Sequence, residues 1–211
     1  MTDSVAVVPV AIPPVGLAGD LRLADSARGV VIFAHGSGSS RLSPRNQQVA
    51  RALSAAGMTT LLFDLLTEAE AADRSNVFDI DLLARRLVDA IDWVAAQPTL
   101  APLPIGLFGA STGAAAALKA AAARPQAVRA VVSRGGRPDL ASEVLPRVTA
   151  STLLIVGGND EPVLGWNRDA AKRVAGPIRV TVIPGATHLF EEPGAMDQVT
   201  SLAAAWFAER M

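Results

Sequence analysis

The chain has 211 residues, half of them hydrophobic, and a formal net charge of −1. That length suits one domain spanning residues 1–211, and the near-neutral balance with no basic run argues against a nucleic-acid partner. With no cysteine and only two histidines, disulfides and thiolate metal sites are excluded and any metal centre is disfavoured.

No uninterrupted apolar stretch reaches the ~18 residues that a membrane helix needs. Asp3, Pro9, Pro13 and Pro14 stand where a signal peptide would show basic residues and an unbroken apolar core. The expectation is a cytoplasmic protein with no cofactor, metal or membrane partner, acting on a small molecule.

Val5 to Val10 and Leu17 to Leu23 read as a short antiparallel pair around a Pro-Pro-Val-Gly turn. Six apolar runs follow as strands: Val30 to Phe33, Thr59 to Phe63, Ile105 to Phe108, Val128 to Val132, Thr152 to Val156 and Ile178 to Ile183. Helical patterns alternate with them. Ile80, Leu83, Leu87, Ile91 and Val94 recur at three- and four-residue steps, and Met196, Val199, Leu202 and Trp206 repeat the stripe near the C-terminus. This order predicts the α/β class, a mostly parallel twisted sheet of about eight strands flanked by helices. The stretch Ser133 to Ala150 is too short for a large lid domain, although Leu140 to Leu145 reads as a helix behind a capping Asp139. Asp64 to Asn76 is polar and reads as a solvated, mobile connector.

The chemistry gathers in the loops that follow these strands. Gly109-Ala110-Ser111-Thr112-Gly113 lies between an apolar run and the alanine-rich run Ala114 to Ala123. A nucleophile on a sharp strand-to-helix turn needs small neighbours because the backbone passes close by, and GxSxG supplies them. Such a serine requires an acid and then a histidine downstream. His188, after the last strand, takes the histidine position. Asp160, after Gly157-Gly158-Asn159, is the first candidate for the acid; Glu161 is its rival and Asp139 a third.

A tetrahedral intermediate also needs donors for its oxyanion. The amide of Thr112 follows the nucleophile, and the loop His35-Gly36-Ser37-Gly38 can turn a second amide inward, from Ser37 first or Gly38 second. His35 is expected to order that loop. Arg41, Arg134 and Arg137 follow strands at the same end of the sheet, and guanidinium groups bind carboxylates bidentately. Arg41 and Arg134 are therefore the candidate substrate contacts, for an anionic substrate. Pairing with Asp139 or Glu143 is the alternative, and Glu191 and Glu192 would oppose an anion if they faced inward. Trp166 and Phe190 could line the pocket or pack.

Taken together, Gly109 to Gly113, His35 to Gly38, Gly157 to Asp160 and Gly185-Ala186-Thr187-His188 resemble the α/β-hydrolases, in particular a small dienelactone hydrolase-like member. The resemblance implies that fold and a Ser111, Asp160, His188 triad. Dienelactone hydrolases proper use a cysteine nucleophile, so a serine points to ordinary ester chemistry. Phe63-Asp64-Leu65-Leu66-Thr67 and Ser133 to Asp139 are also similar to hydrolase modules attached to phosphoribosyltransferases. No acidic phosphoribosyl-binding loop is visible in the chain. The expected function is a serine hydrolase cleaving small carboxylic esters or lactones through an acyl-enzyme, at an open and shallow site. The alternatives are acyl transfer or perhydrolysis on the same triad, or a noncatalytic binding module of this fold.

Overall fold

The computed structural model describes residues 6–211. β1 (Val7–Ile12) and β2 (Leu17–Arg22) pair antiparallel; Val5, the expected start of the first strand, lies outside the described residues. β3 (Val30–Ala34), β4 (Thr59–Phe63), β5 (Ile105–Ala110), β6 (Val128–Arg134), β7 (Ser151–Gly157) and β8 (Ile178–Ile183) run parallel to one another. The eight-stranded order is β1-β2-β4-β3-β5-β6-β7-β8.

The apolar runs are continuous because both faces of the central strands are covered. Val30, Ile32, Leu61 and Leu107 belong to the core under α3 (Ile80–Ala96) and α4 (Thr112–Ala123). Their neighbours Val31, Phe33, Leu62 and Phe108 belong to the core under α1 (Pro44–Ala55) and α6 (Ala195–Arg210). The expected stripe Ile80, Leu83, Leu87, Ile91 and Val94 is the buried face of α3. On α6, Val199 and Trp206 are buried while Met196 and Leu202 pack at the margin. Among the described residues, no helix is long and apolar enough to cross a membrane.

Three expectations need correction. β5 and β6 continue past Phe108 and Val132, so Arg134 is a strand residue and not part of a loop. The helix expected over Leu140 to Leu145 is instead two 3-10 turns, Pro138–Ala141 and Leu145–Arg147. Pro146 lacks the amide that an α-helix would need there.

The third correction concerns the segment after Asp64. It holds α2 (Glu68–Ala71), closed by a capping box in which Thr67 Oγ1 accepts from the Glu70 amide and Glu70 accepts from the Thr67 amide. The Arg86 guanidinium on α3 pairs with the same Glu70, and Asn76 Nδ2 donates to the Glu70 carbonyl at 2.9 Å. These contacts fix a segment whose polarity suggested a mobile connector.

α4 lies so close to the sheet that a Cβ on Gly113 would come within 2.2 Å of the Ala34 carbonyl oxygen. By contrast, a Cβ on Gly165, inside α5 (Glu161–Ala171), meets nothing within 4 Å. In urea denaturation, Gly113→Ala should lower stability by about 1–3 kcal/mol through overpacking. Gly165→Ala should raise it by roughly 0.5–1 kcal/mol through helix propensity.

Candidate active site

The chain reverses between β5 and α4 on one residue, Ser111, at φ 51° and ψ −120°. Its neighbours hold it there: the Ser111 amide donates to the Arg134 carbonyl at 3.2 Å, and its carbonyl accepts from the amides of Ala114 and Arg137, each at 3.1 Å. Gly109 faces the backbone of Ala114, where a Cβ would stand 2.4 Å from Cα. Small residues at both ends of the motif are therefore a steric requirement.

His188 and Asp160 come from the loops after β8 and β7. Asp160 Oδ2 lies 2.7 Å from His188 Nδ1, and His188 Nε2 lies 3.3 Å from Ser111 Oγ. A carboxylate only accepts, so Nδ1 carries the proton and Nε2 is left to accept from the serine. Of the three candidate carboxylates, Asp160 is the one that stands against His188. Asp160 occupies the N-cap position of α5, yet its side chain makes no capping bond there. Glu161 is exposed, and Asp139 is bound to Arg137 at 2.7 Å.

Phe190 anchors the histidine loop. It is 1% exposed, sits at φ 55°, and its amide donates to the Thr187 carbonyl at 3.2 Å. Arg134 lies beneath it, with the guanidinium 5.9 Å from the ring centroid. At 7% exposure Arg134 has no ion pair among the described residues, and burial, aided by nearby Arg45, pushes its pKa down to about 10. It therefore packs under the histidine loop, a role that sequence reasoning missed because it placed Arg134 beyond the strand. Phe190 packs with it, whereas Trp166 is stacked by Arg137 at 4.2 Å.

The loop expected to supply an oxyanion donor, residues 35–38, is tied to α4 directly. The Ser37 amide donates to Thr112 Oγ1 at 2.9 Å, so the expected first donor already has a partner. The Thr112 amide, in the first turn of α4, stands outside the intrahelical ladder.

His35 is placed as a support. Its Nδ1 meets the Gly36 carbonyl at 3.0 Å and its Nε2 accepts from the Leu65 amide at 3.1 Å. A carbonyl only accepts and an amide only donates, so the ring is neutral with the proton on Nδ1. It bridges the ends of β3 and β4.

Arg41 reaches the site with its charge already met, by Asp64 at 2.5 Å and Asp20 at 3.6 Å. Glu191 pairs with Arg45 at 3.3 Å and Glu192 accepts from the Thr187 amide at 3.0 Å, so both acids serve the histidine loop and its neighbour α1. A cavity of about 410 Å³ opens beside Ser37, between the loop after β3 and the segment carrying α2; Ser111, Asp160 and His188 are not among its lining residues. Among the described residues, no three His, Asp or Glu side chains are grouped as metal ligands would be.

Burial lowers the His35 pKa below its ordinary 6.5, against the raising effects of the Gly36 carbonyl and the Asp64 charge. A base with a depressed folded-state pKa binds its proton more readily when unfolded. Its contribution to stability is therefore whole above about pH 6.5 and is lost progressively as pH falls from there toward the folded-state value. Urea titrations at pH 7.5 and 5 should show a smaller pH-dependent loss in His35→Gln than in the parent protein.

The fold has known relatives. A family described as an alpha/beta hydrolase domain matches residues 27–206. The crystal structure of a dienelactone hydrolase from Anabaena variabilis superposes with a TM-score of 0.95 at 53% identity, covering 99% of this chain and 98% of that one. Est1E from Butyrivibrio proteoclasticus shares the fold at TM-score 0.82 and 14% identity, over 97% of this chain and 98% of its own. A putative phosphoribosyl transferase of Mycobacterium tuberculosis is 59% identical over 198 residues. Those residues are 94% of this chain but only 45% of that protein, so the chain spans about half the length of the curated relatives it matches. On this evidence the chain belongs to the α/β-hydrolase family, in its dienelactone hydrolase-like branch.

Proposed function

We propose that the protein is a serine hydrolase that cleaves carboxylic esters or lactones through an acyl-enzyme. One observation carries the reading: Asp160, His188 and Ser111 form an unbroken hydrogen-bonded line that ends on a serine held on a strained turn.

In this reading Ser111 Oγ attacks the carbonyl carbon and its proton passes to His188 Nε2. Asp160 keeps the proton of Nδ1 in place and stabilises the imidazolium. The Ser111 to His188 distance of 3.3 Å is that of a resting site, which tightens when substrate arrives. The carbonyl oxygen takes up the negative charge and is met by the Thr112 amide. The Ser37 amide shares its hydrogen between that oxygen and Thr112 Oγ1, which holds the loop in register beforehand. His188 then protonates the departing alcohol oxygen. Water, deprotonated by the same ring, releases the acid and restores Ser111.

The relatives named for phosphoribosyl transfer are more than twice as long as the aligned segment. Phosphoribosyl transfer is not proposed for this chain, whose visible chemistry is that of the serine line.

Ser111→Ala should abolish turnover of nitrophenyl esters while leaving the circular dichroism spectrum and the unfolding midpoint in place; a folded variant that still turns over would refute the nucleophile. A fluorophosphonate probe should add once, at Ser111, by intact mass and peptide mapping. Asp160→Asn should reduce kcat by about 10⁴-fold, the loss seen for this change in a serine-protease triad, whereas Glu161→Gln should change it little.

A further inference from the structure

The sheet order sets the two sides of the scissile bond apart. Ser111 stands at the end of β5. His188 reaches it from the β8 side, across Gly135, where a Cβ would lie 3.4 Å from His188 Nδ1. The cavity beside Ser37 opens on the opposite side, over the ends of β3 and β4. His188 must protonate the leaving oxygen, so the alcohol has to lie toward β8. The other substituent of the tetrahedral carbon, the acyl chain, is then directed toward β4.

The cavity's form suits such a group. Its volume of about 410 Å³ is in the range of small-molecule pockets. Leu66, Ala71, Val77 and Leu83 give it an apolar wall, and Leu42, 62% exposed, stands at its rim. Its one cation, Arg41, is bound to Asp64 and Asp20, while Glu68 adds a further negative charge. A carboxylate entering here would meet net negative charge and no unpaired guanidinium. The wall is also built to hold its shape, through the Thr67 and Glu70 capping box and the Arg86 to Glu70 ion pair.

We propose that this cavity is the acyl site, and that the preferred acyl group is neutral, apolar and of octanoyl or phenylacetyl size, neither acetyl nor a carboxylate-bearing chain. The proposal rests on the serine-hydrolase reading above, since it needs Ser111 to define the carbonyl and His188 the leaving side.

The test measures kcat/KM for nitrophenyl acetate, octanoate and phenylacetate, and for the nitrophenyl half-ester of suberic acid, whose chain ends in a carboxylate. In the parent protein, octanoate and phenylacetate should exceed acetate and the suberate half-ester, each by about tenfold or more, the scale on which a pocket discriminates a few methylenes or a misplaced charge. Ala71→Trp and Val77→Trp each place a large side chain in the cavity from its exposed wall. Each should lower the octanoate-to-acetate ratio by at least about tenfold. A parent protein that favours acetate or the suberate half-ester would overturn the proposal, and so would a chain-length ratio that neither folded variant changes. Labelling of Ser111 in the parent protein by a small fluorophosphonate separates the two readings. Labelled Ser111 with the wrong chain preference refutes the acyl site alone. An unlabelled Ser111 with no turnover of any ester refutes the serine-hydrolase reading and the acyl site with it.

Discussion

Ser111 holds φ 51° and ψ −120°, a backbone conformation that an L-residue adopts at a cost of about 1–3 kcal/mol. The rest of the site restrains Ser111 in this conformation. Gly109 and Gly113 leave room for α4 to lie against β5 and β3, where any side chain would strike backbone atoms. The alanines of α4 extend the same close packing down the sheet: Ala114 to Ala117 are all fully buried. Hydrogen bonds from Ala114 and Arg137 to the Ser111 carbonyl, and from Ser111 to Arg134, complete the restraint. A serine held by this much rigid structure has little orientational freedom left to lose, which is what its proposed role as nucleophile requires.

The partners are held with comparable care by residues that do no chemistry. Phe190 buries its ring and accepts a left-handed backbone so that the loop before it can place His188 above Gly135. Arg134 fills the space beneath that ring with a cation that has no acid partner among the described residues, an arrangement that would be costly without the aromatic face above it. On the other side, His35 is a neutral bridge between β3 and β4, and Thr112 Oγ1 fixes Ser37. In the proposed reaction one side supports the proton path and the other the oxyanion, and β5 separates them.

Much of this was legible in the chain. The six parallel strands could be read because strands covered on both faces are written as unbroken apolar runs, and α3 because its buried face repeats every three or four residues. GxSxG, the acid after Gly157-Gly158-Asn159 and the late histidine could be read because local backbone geometry demands small residues at fixed places. The segment 64–76 misled for a definite reason. Its order comes from Glu70, shared between Thr67 three residues away and Arg86 on another helix, and a polar segment held by long-range pairs looks the same in sequence as a solvated one. The arginines misled similarly. Both Arg41 and Arg134 read in sequence as following the strands of interest, yet one is neutralised by acids from two other segments and the other is buried as the last residue of β6.

The sequence by itself therefore determined the α/β architecture, the position of the strained serine and the short list of residues that could serve it, because each is dictated by periodicity or by local steric need. Only the tertiary structure set Asp160 and not Glu161 against His188, gave Ser37 its hold on Thr112, put Arg134 under Phe190 and opened a cavity toward β4. Neighbouring carboxylates and scattered guanidiniums differ in role through distance and burial. Those quantities come into being only when strands far apart in the chain are set side by side.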